Sequence, residues 1–300
     1  MTDKKVVSKS KVKKRSQLKS IWFRYKKNKL AMLGLILLLI MVVIAIAAPL
    51  IADYQQDAIT QNMKGRLQFP SKDHLFGTDQ YGRDLFARVI FGARVSLSVS
   101  IITIAISLTI GIIIGAVSGY YGGRIDDILM RIMDIFLAIP QMLMAISIVA
   151  ALGPGTGNLI AAMTISSVPR FARIVRSSIL TIKDQEFIEA AKACGTRDSR
   201  IIFKHIVPNA VGPIIVQATL NIAETIITIS GLSFLGLGIK APTPEWGSML
   251  SEGKEKMRYY PYLVIIPGMA IVFAVMALNL MGDGLRDALE IGRASCRERV

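Results

Sequence analysis

Of the 300 residues, 52% are hydrophobic and only 19% charged, and the mean hydropathy is +0.50. Soluble domains carry about 25% charged residues, so this balance excludes a disordered chain, a coiled coil and a small disulfide scaffold, and argues against a soluble enzyme. The net charge of +15 fits a nucleic-acid or a membrane surface, and the placement of the basic residues favours the membrane.

Residues 1–29 form a basic segment in which twelve Lys and Arg residues stand against one acid, Asp3. It abuts an apolar run, as juxtamembrane basic segments do. That run, Leu30–Ile51, has 22 uncharged residues and is long enough for one crossing at about 20 residues per span. It exceeds a signal-peptide core and lacks a clear cleavage site, so 30–52 is predicted as an uncleaved first helix. The segment 53–94 is read as an extracytoplasmic loop.

A second span is predicted between Arg94 and Arg124. Gly111, Gly115 and Gly119 repeat there at i, i+4, i+8, a small-residue face suited to close helix packing. Asp127–Leu152 and Asn158–Leu180 are predicted as two helices, kinked at Pro140 and Pro169 and separated by the turn Gly153–Gly157. The run from His205 to Ile239 contains one charge, Glu224. As one helix it would measure about 52 Å, so a break is expected at Leu232–Gly238. The sixth run is Tyr259–Gly282.

Six spans put both termini on one side. Lys and Arg divide 26 against 10 in favour of the face holding the termini, so the positive-inside rule makes both termini cytoplasmic. The loops 53–94 and 240–258 then face outward. Cys194 and Cys296 have no partners at metal spacing and make no disulfide framework. His74 and His205 sit in no ligand motif, so no metal is expected.

The cytoplasmic segment 184–208 is more than a connector. Asp184–Ala193 reads as a short helix, Gly195 as a corner and Thr196–Val207 as a second amphipathic stretch, with Pro208 opening the next span where its missing N–H costs little. Ile188, Ala191 and Ala193 offer apolar or small contact area, and the glutamates and arginines around them offer directional pairing.

The Glu-Ala-Ala triplet, the glycine and the proline at this spacing (Glu189, Ala190, Ala191, Gly195, Pro208) resemble the EAA loop of ABC importer permeases. His205 and Val207 stand where the general pattern has Ile and Leu. Three further stretches resemble the second permease subunit of dipeptide, oligopeptide and nickel importers. They are Phe76–Asp84, Leu232–Gly238 with Pro242–Gly247, and Gly282–Asp287. The resemblance covers about residues 20–290. Two departures stand out. The tail 291–300 looks foreign to the family, and where relatives often carry an acid just before Leu232 this chain has Ile229 and Ser230.

The resemblance implies an all-α polytopic fold of the type I ABC importer kind, with a five-helix permease core at 95–290 and the EAA segment as the element coupled to ATP hydrolysis. It implies a sister permease, two cytoplasmic ATPase subunits and an extracytoplasmic binding protein as partners, with ATP and Mg bound in the ATPases. The chain has no Gly-x-x-x-x-Gly-Lys-Ser/Thr phosphate cradle, so no cofactor and no catalysis are assigned to it. Short peptides lead as solutes, with nickel chelates and other small solutes as alternatives. A stand-alone secondary transporter would predict an internal repeat and paired intramembrane charges.

Outside the loop, Glu224 is the sharpest candidate, because an ionisable group at membrane depth is costly. It faces either the solute path or a basic or polar group of a neighbouring helix. Asp134 is expected to pair with Arg131 at i, i+3. Arg170, Arg173 and Arg176 are expected to snorkel towards headgroups. Asp79, Arg83 and Asp84 are expected to fix a turn, and Met130, Met133, Met142 and Met144 to pack.

Overall fold

The computed structural model describes residues 17–297, with the side chains of 17, 18, 20 and 290–297 left out. Most of the basic N-terminal segment and residues 298–300 therefore lie outside the described residues. The described residues are almost wholly helical. A short helix α1 (Gln17–Tyr25) precedes α2 (Lys29–Ile51). Asn28 separates them and caps α2, its side-chain oxygen accepting from the N–H groups of Leu30 and Ala31 at 3.1 and 3.2 Å.

Helix α3 (Leu85–Tyr121) has 37 residues, about 55 Å. It starts inside the segment predicted as loop, before Arg94. Asp84 sets the start by accepting from the Ala87 N–H at 2.9 Å. Pairing of Arg88 allows a charged first turn to be buried.

The region predicted as one kinked helix over Asp127–Leu152 is two, α4 (Gly123–Leu137) and α5 (Gln141–Leu152), bent by 83°. Pro140 has no N–H and disfavours helical geometry at Ile139, so the helix ends instead of kinking. Pro169, by contrast, is accommodated inside α6 (Thr156–Leu180). After α6 come α7 (Glu186–Ala193), α8 (Asp198–Arg200) and a π-helical turn over Ile201–Ile206 that runs into α9 (Val207–Phe234).

Helix α9 ends at the predicted break. Leu237 N–H donates to Leu232 O and Gly236 N–H to Ser233 O, both at 2.9 Å, with Gly236 at φ +82°. This is a Schellman ending with glycine in the left-handed position. Helices α10 (Trp246–Gly253) and α11 (Tyr262–Arg297) complete the chain.

Among the described residues four helices, α2, α3, α11 and the stretch ending in α9, are long and apolar enough to cross a membrane, or five if the bent pair α4–α5 is counted as one span. Helix α6 is long enough at 25 residues but is not among them; it carries Arg170, Arg173 and Arg176.

The glycine face of α3 packs on α6 as the spacing predicts. A Cβ on Gly111 would lie 2.5 Å from Phe171 Cβ, one on Gly115 would collide with the Ala172 carbonyl, and one on Gly119 would lie 2.9 Å from Ile179 Cβ. Helix α2 lies against α11, where Gly34 meets Leu280 and Ala277. Helix α5 packs along α6, with Ala145 and Val149 in one cluster with Leu159, Ala162 and Met163.

Candidate functional site

The Glu-Ala-Ala segment folds as its residues dictate. Helix α7 closes on Gly195 at φ +70°, whose N–H donates to Lys192 O at 2.9 Å while Thr196 N–H donates to Ala191 O at 3.1 Å. The required glycine is thus the left-handed residue of a Schellman ending, a conformation that costs a residue with a Cβ about 1–2 kcal/mol. Ile188 is fully buried among Ile179, Ile182, Ile201, Ile202 and Ile206. Glu189 and Ala190 point outward, Ala191 is half-buried, and Pro208 is exposed as the second residue of α9.

Side chains tie this unit to the end of α3. Tyr120 Oη donates to Asp198 at 2.7 Å, and Lys192 Nζ lies 5.5 Å from the Tyr120 ring centre. Phe187 and Phe203 remain exposed. The result is a rigid projection with an apolar anchor inside and a mixed acidic, small and aromatic surface outside.

The second set of predicted residues meets on α6. Glu224 pairs with Arg170, whose guanidinium also donates to Asn221 at 3.1 Å. Of its two expected roles, the structure realises the partner on a neighbouring helix. Asp134 pairs with Arg173 at 2.5 Å, not with Arg131; the spacing i, i+3 reports only local neighbours, and α6 supplies a closer cation. Arg176 forks onto Asp126 through Nε at 2.6 Å and Nη2 at 2.5 Å, and Ser118 also donates to Asp126. The three arginines thus hold carboxylates instead of snorkelling. Asp126, Asp127, Met130, Asp134, Arg173 and Arg176 line an open cavity of about 200 Å³. Met133 and Met144 are buried in packing, whereas Met142 is exposed.

In the segment before α3, Asp79 fixes a turn as expected, accepting from the N–H groups of Tyr81 and Arg83 at 2.8 and 3.0 Å. Asp84 also lies 2.7 Å from His74 Nδ1 and accepts from it where that nitrogen carries the ring's hydrogen. Two features escaped the sequence. Glu252 of α10 bridges the buried Arg83 and Arg88 at 2.5 and 3.2 Å, with Asp79 on Arg83 Nε at 2.6 Å. Glu245 is fully buried, caps α10 through the N–H groups of Gly247 and Ser248 at 2.9 and 2.8 Å, and accepts from Ser96 at 3.3 Å. Glutamate is not among the usual N-cap residues, so neither this cap nor its burial against α3 and α9 was marked locally in the sequence. Burial pushes its carboxyl pKa up, against the opposing pull of those donors. Among the described residues no group of three or more His, Cys, Asp or Glu side chains is arranged to hold a metal.

With this geometry in place, comparison with known proteins is specific. Residues 107–292 match the family described as the binding-protein-dependent transport system inner membrane component, and residues 16–70 match the N-terminal TM domain of oligopeptide transport permease C. The dipeptide transport system permease protein DppC of Alkalihalophilus pseudofirmus is 48% identical over 88% of this chain and 86% of its own length. The oligopeptide transport system permease protein OppC of Bacillus subtilis is 43% identical over 90% of each. An inward-facing structure of the MetNI methionine ABC transporter shares the fold with a TM-score of 0.56 at 19% identity, over 69% of this chain and 95% of that one. The chain is a multi-pass membrane protein and belongs to the family of inner membrane permease components of binding-protein-dependent ABC importers.

Proposed function

We propose that the chain is the permease subunit that, paired with a sister permease, forms the path for short peptides. Relatives named as dipeptide and oligopeptide permeases, at 40–48% identity, support peptides as the solute class, and others at 42% are named glutathione permeases. The chain crosses the membrane six times in this reading, with α6 as the sixth crossing and both termini cytoplasmic. It catalyses no hydrolysis. Two cytoplasmic ATPases bind ATP and Mg, and an extracytoplasmic binding protein delivers the solute.

The observation that carries this reading is the projection around α7. Glu189 and Ala190 are exposed on a helix whose inner residue, Ile188, is fully buried. A force on the exposed face is transmitted to Ile179 at the end of α6 and to Ile206 at the start of α9. Closure of the ATPase pair would move both helices together, as rigid-body switching requires.

Two experiments test it. Affinity copurification from native membrane is expected to bring down an ATPase pair and a second permease; recovery of the chain alone overturns the assembly. In the reconstituted transporter, Glu189→Arg and Gly195→Leu are each expected to abolish dipeptide uptake while the protein still inserts. Intact uptake in both variants removes the coupling role, and uptake of a nickel chelate in place of dipeptides removes the solute class.

A further inference from the structure

The charges on α6 raise a physical question that helix packing does not answer. Counting back from Leu180, Arg176, Arg173 and Arg170 lie about 6, 10 and 15 Å along the helix axis. If α6 crosses the bilayer, the last is near the middle of a hydrocarbon core about 30 Å thick. Yet two of the three pairs are open to the outside of this chain, the third, Arg176–Asp126, being more enclosed. The side chains of Arg170 and Glu224 are 36% and 48% exposed, and those of Arg173 and Asp134 are 56% and 55% exposed. Ion pairs at such depth do not face lipid without large cost.

The chain separates its faces in keeping with that rule. On α4, Asp126, Asp127, Met130 and Asp134 turn towards the arginines and the cavity of about 200 Å³, while Ile128 and Ile135 are among its most exposed side chains. The three aspartates are gathered on the side of the arginines of α6, while the opposite face carries Ile128 and Ile135 together with the exposed Arg124 and Arg131.

We propose that Arg170–Glu224, Arg173–Asp134 and Arg176–Asp126 form a ladder lining the cytoplasmic half of the translocation path, and that it serves solutes carrying both an ammonium and a carboxylate. This inference rests on the reading of the chain as a peptide permease and names how that path treats its solute. The two open rungs present both signs, and the third presents chiefly the Arg176 guanidinium. A zwitterion descending α6 can set its ammonium against a carboxylate and its carboxylate against a guanidinium, then exchange to the next rung. Because every rung already has an internal partner, no rung holds the solute tightly. A conducting path needs sites that are attractive enough to enter and weak enough to leave. A ring of one sign would instead favour ions of the opposite sign.

The test uses the complete transporter in proteoliposomes, with its sister permease, ATPases and binding protein, and three dipeptides, Ala-Ala, Lys-Lys and Glu-Glu. Asp134→Asn leaves surplus positive charge on the ladder. It is expected to shift the ratio of Glu-Glu to Lys-Lys uptake upward by about fivefold relative to the unmodified transporter, and Arg173→Gln to shift it downward by a similar factor. Because each variant is compared with the unmodified transporter for the same dipeptide, the binding protein's own preference cancels. A purely structural pair predicts equal losses for all three dipeptides, and that result overturns the ladder. If the unmodified transporter takes up none of them, the peptide reading itself fails.

A second measurement places the surface. In a Cys194→Ser, Cys296→Ser background, Met130→Cys is expected to react with a charged methanethiosulfonate from the cytoplasmic side, and less so after vanadate trapping. Ile128→Cys is expected to stay unreactive. No reaction of Met130→Cys in either state puts the sister permease over the ladder. Reaction unchanged by trapping puts the ladder on a surface that is wet in both states and lies outside the gated path. Either result overturns the proposal.

Discussion

At the scale of single residues, the buried carboxylates differ in how they are tolerated. The half-buried Glu252 shares with Asp79 two arginines that are almost wholly buried, so removal of its charge would leave one cation uncompensated inside the protein. Glu245 has no cation in its hydrogen-bonding shell. It is held by two backbone N–H groups and a serine, and burial raises its pKa above 4.5. Between that ordinary value and the raised one, the folded protein keeps a proton that the unfolded chain has released. By linkage, the contribution of Glu245 to stability falls as pH rises through this window and is flat above it. Thermal unfolding in detergent across this range is expected to show the fall in the unmodified protein, and Glu245→Gln, which does not titrate, is expected to lose that component. Parallel pH profiles for the two proteins would show that Glu245 is ionised throughout.

At the scale of elements, the α3–α6 contact is set by three glycines one turn apart. Gly115 is the tightest of them, since an added Cβ would collide with the Ala172 carbonyl and come within 2.8 Å of Val175 Cβ. Backbone against backbone leaves no flexible side chain to give way. Gly115→Leu is therefore expected to force the two helices apart at a cost of about 1–3 kcal/mol, read as a lower unfolding temperature in detergent. Gly212 meets only the tip of Leu289 at 3.7 Å, and Gly212→Ala is expected to leave that temperature nearly unchanged. The same contact shows which features a sequence carries openly. The glycine face, the break after Phe234 and the corner at Gly195 are written in residues whose backbone needs are local. Pro140 was ambiguous because a proline either kinks a helix or ends it, and the outcome depends on what α4 and α5 find to pack against. The partners of Asp134 and Glu224 were hidden for a related reason. Arg173 and Arg170 are remote in sequence, and only the placement of α4 and α9 against α6 brings them near. The Arg83–Glu252–Arg88 bridge spans still more of the chain and left no periodic trace.

At the scale of the whole molecule, everything proposed for transport turns on whether α6 crosses the membrane. Its length permits a crossing and its arginines oppose one unless they are neutralised, which Asp126, Asp134 and Glu224 do. Parity makes the question decidable. If α4–α5 and α6 both cross, Thr156 at the start of α6 and Cys194 beyond its end lie on opposite sides. If α6 does not cross, they share a side, and the coupling projection and the ladder lose their common geometry. Cys194 and Thr156 are both exposed. In a Cys296→Ser background, Cys194 is expected to react with an impermeant maleimide in inside-out vesicles and not in right-side-out ones. With Cys194→Ser added, Thr156→Cys is expected to show the reverse. Reaction of both from the same face would leave five or fewer crossings, and the ion pairs on α6 would then be surface contacts with no path to line.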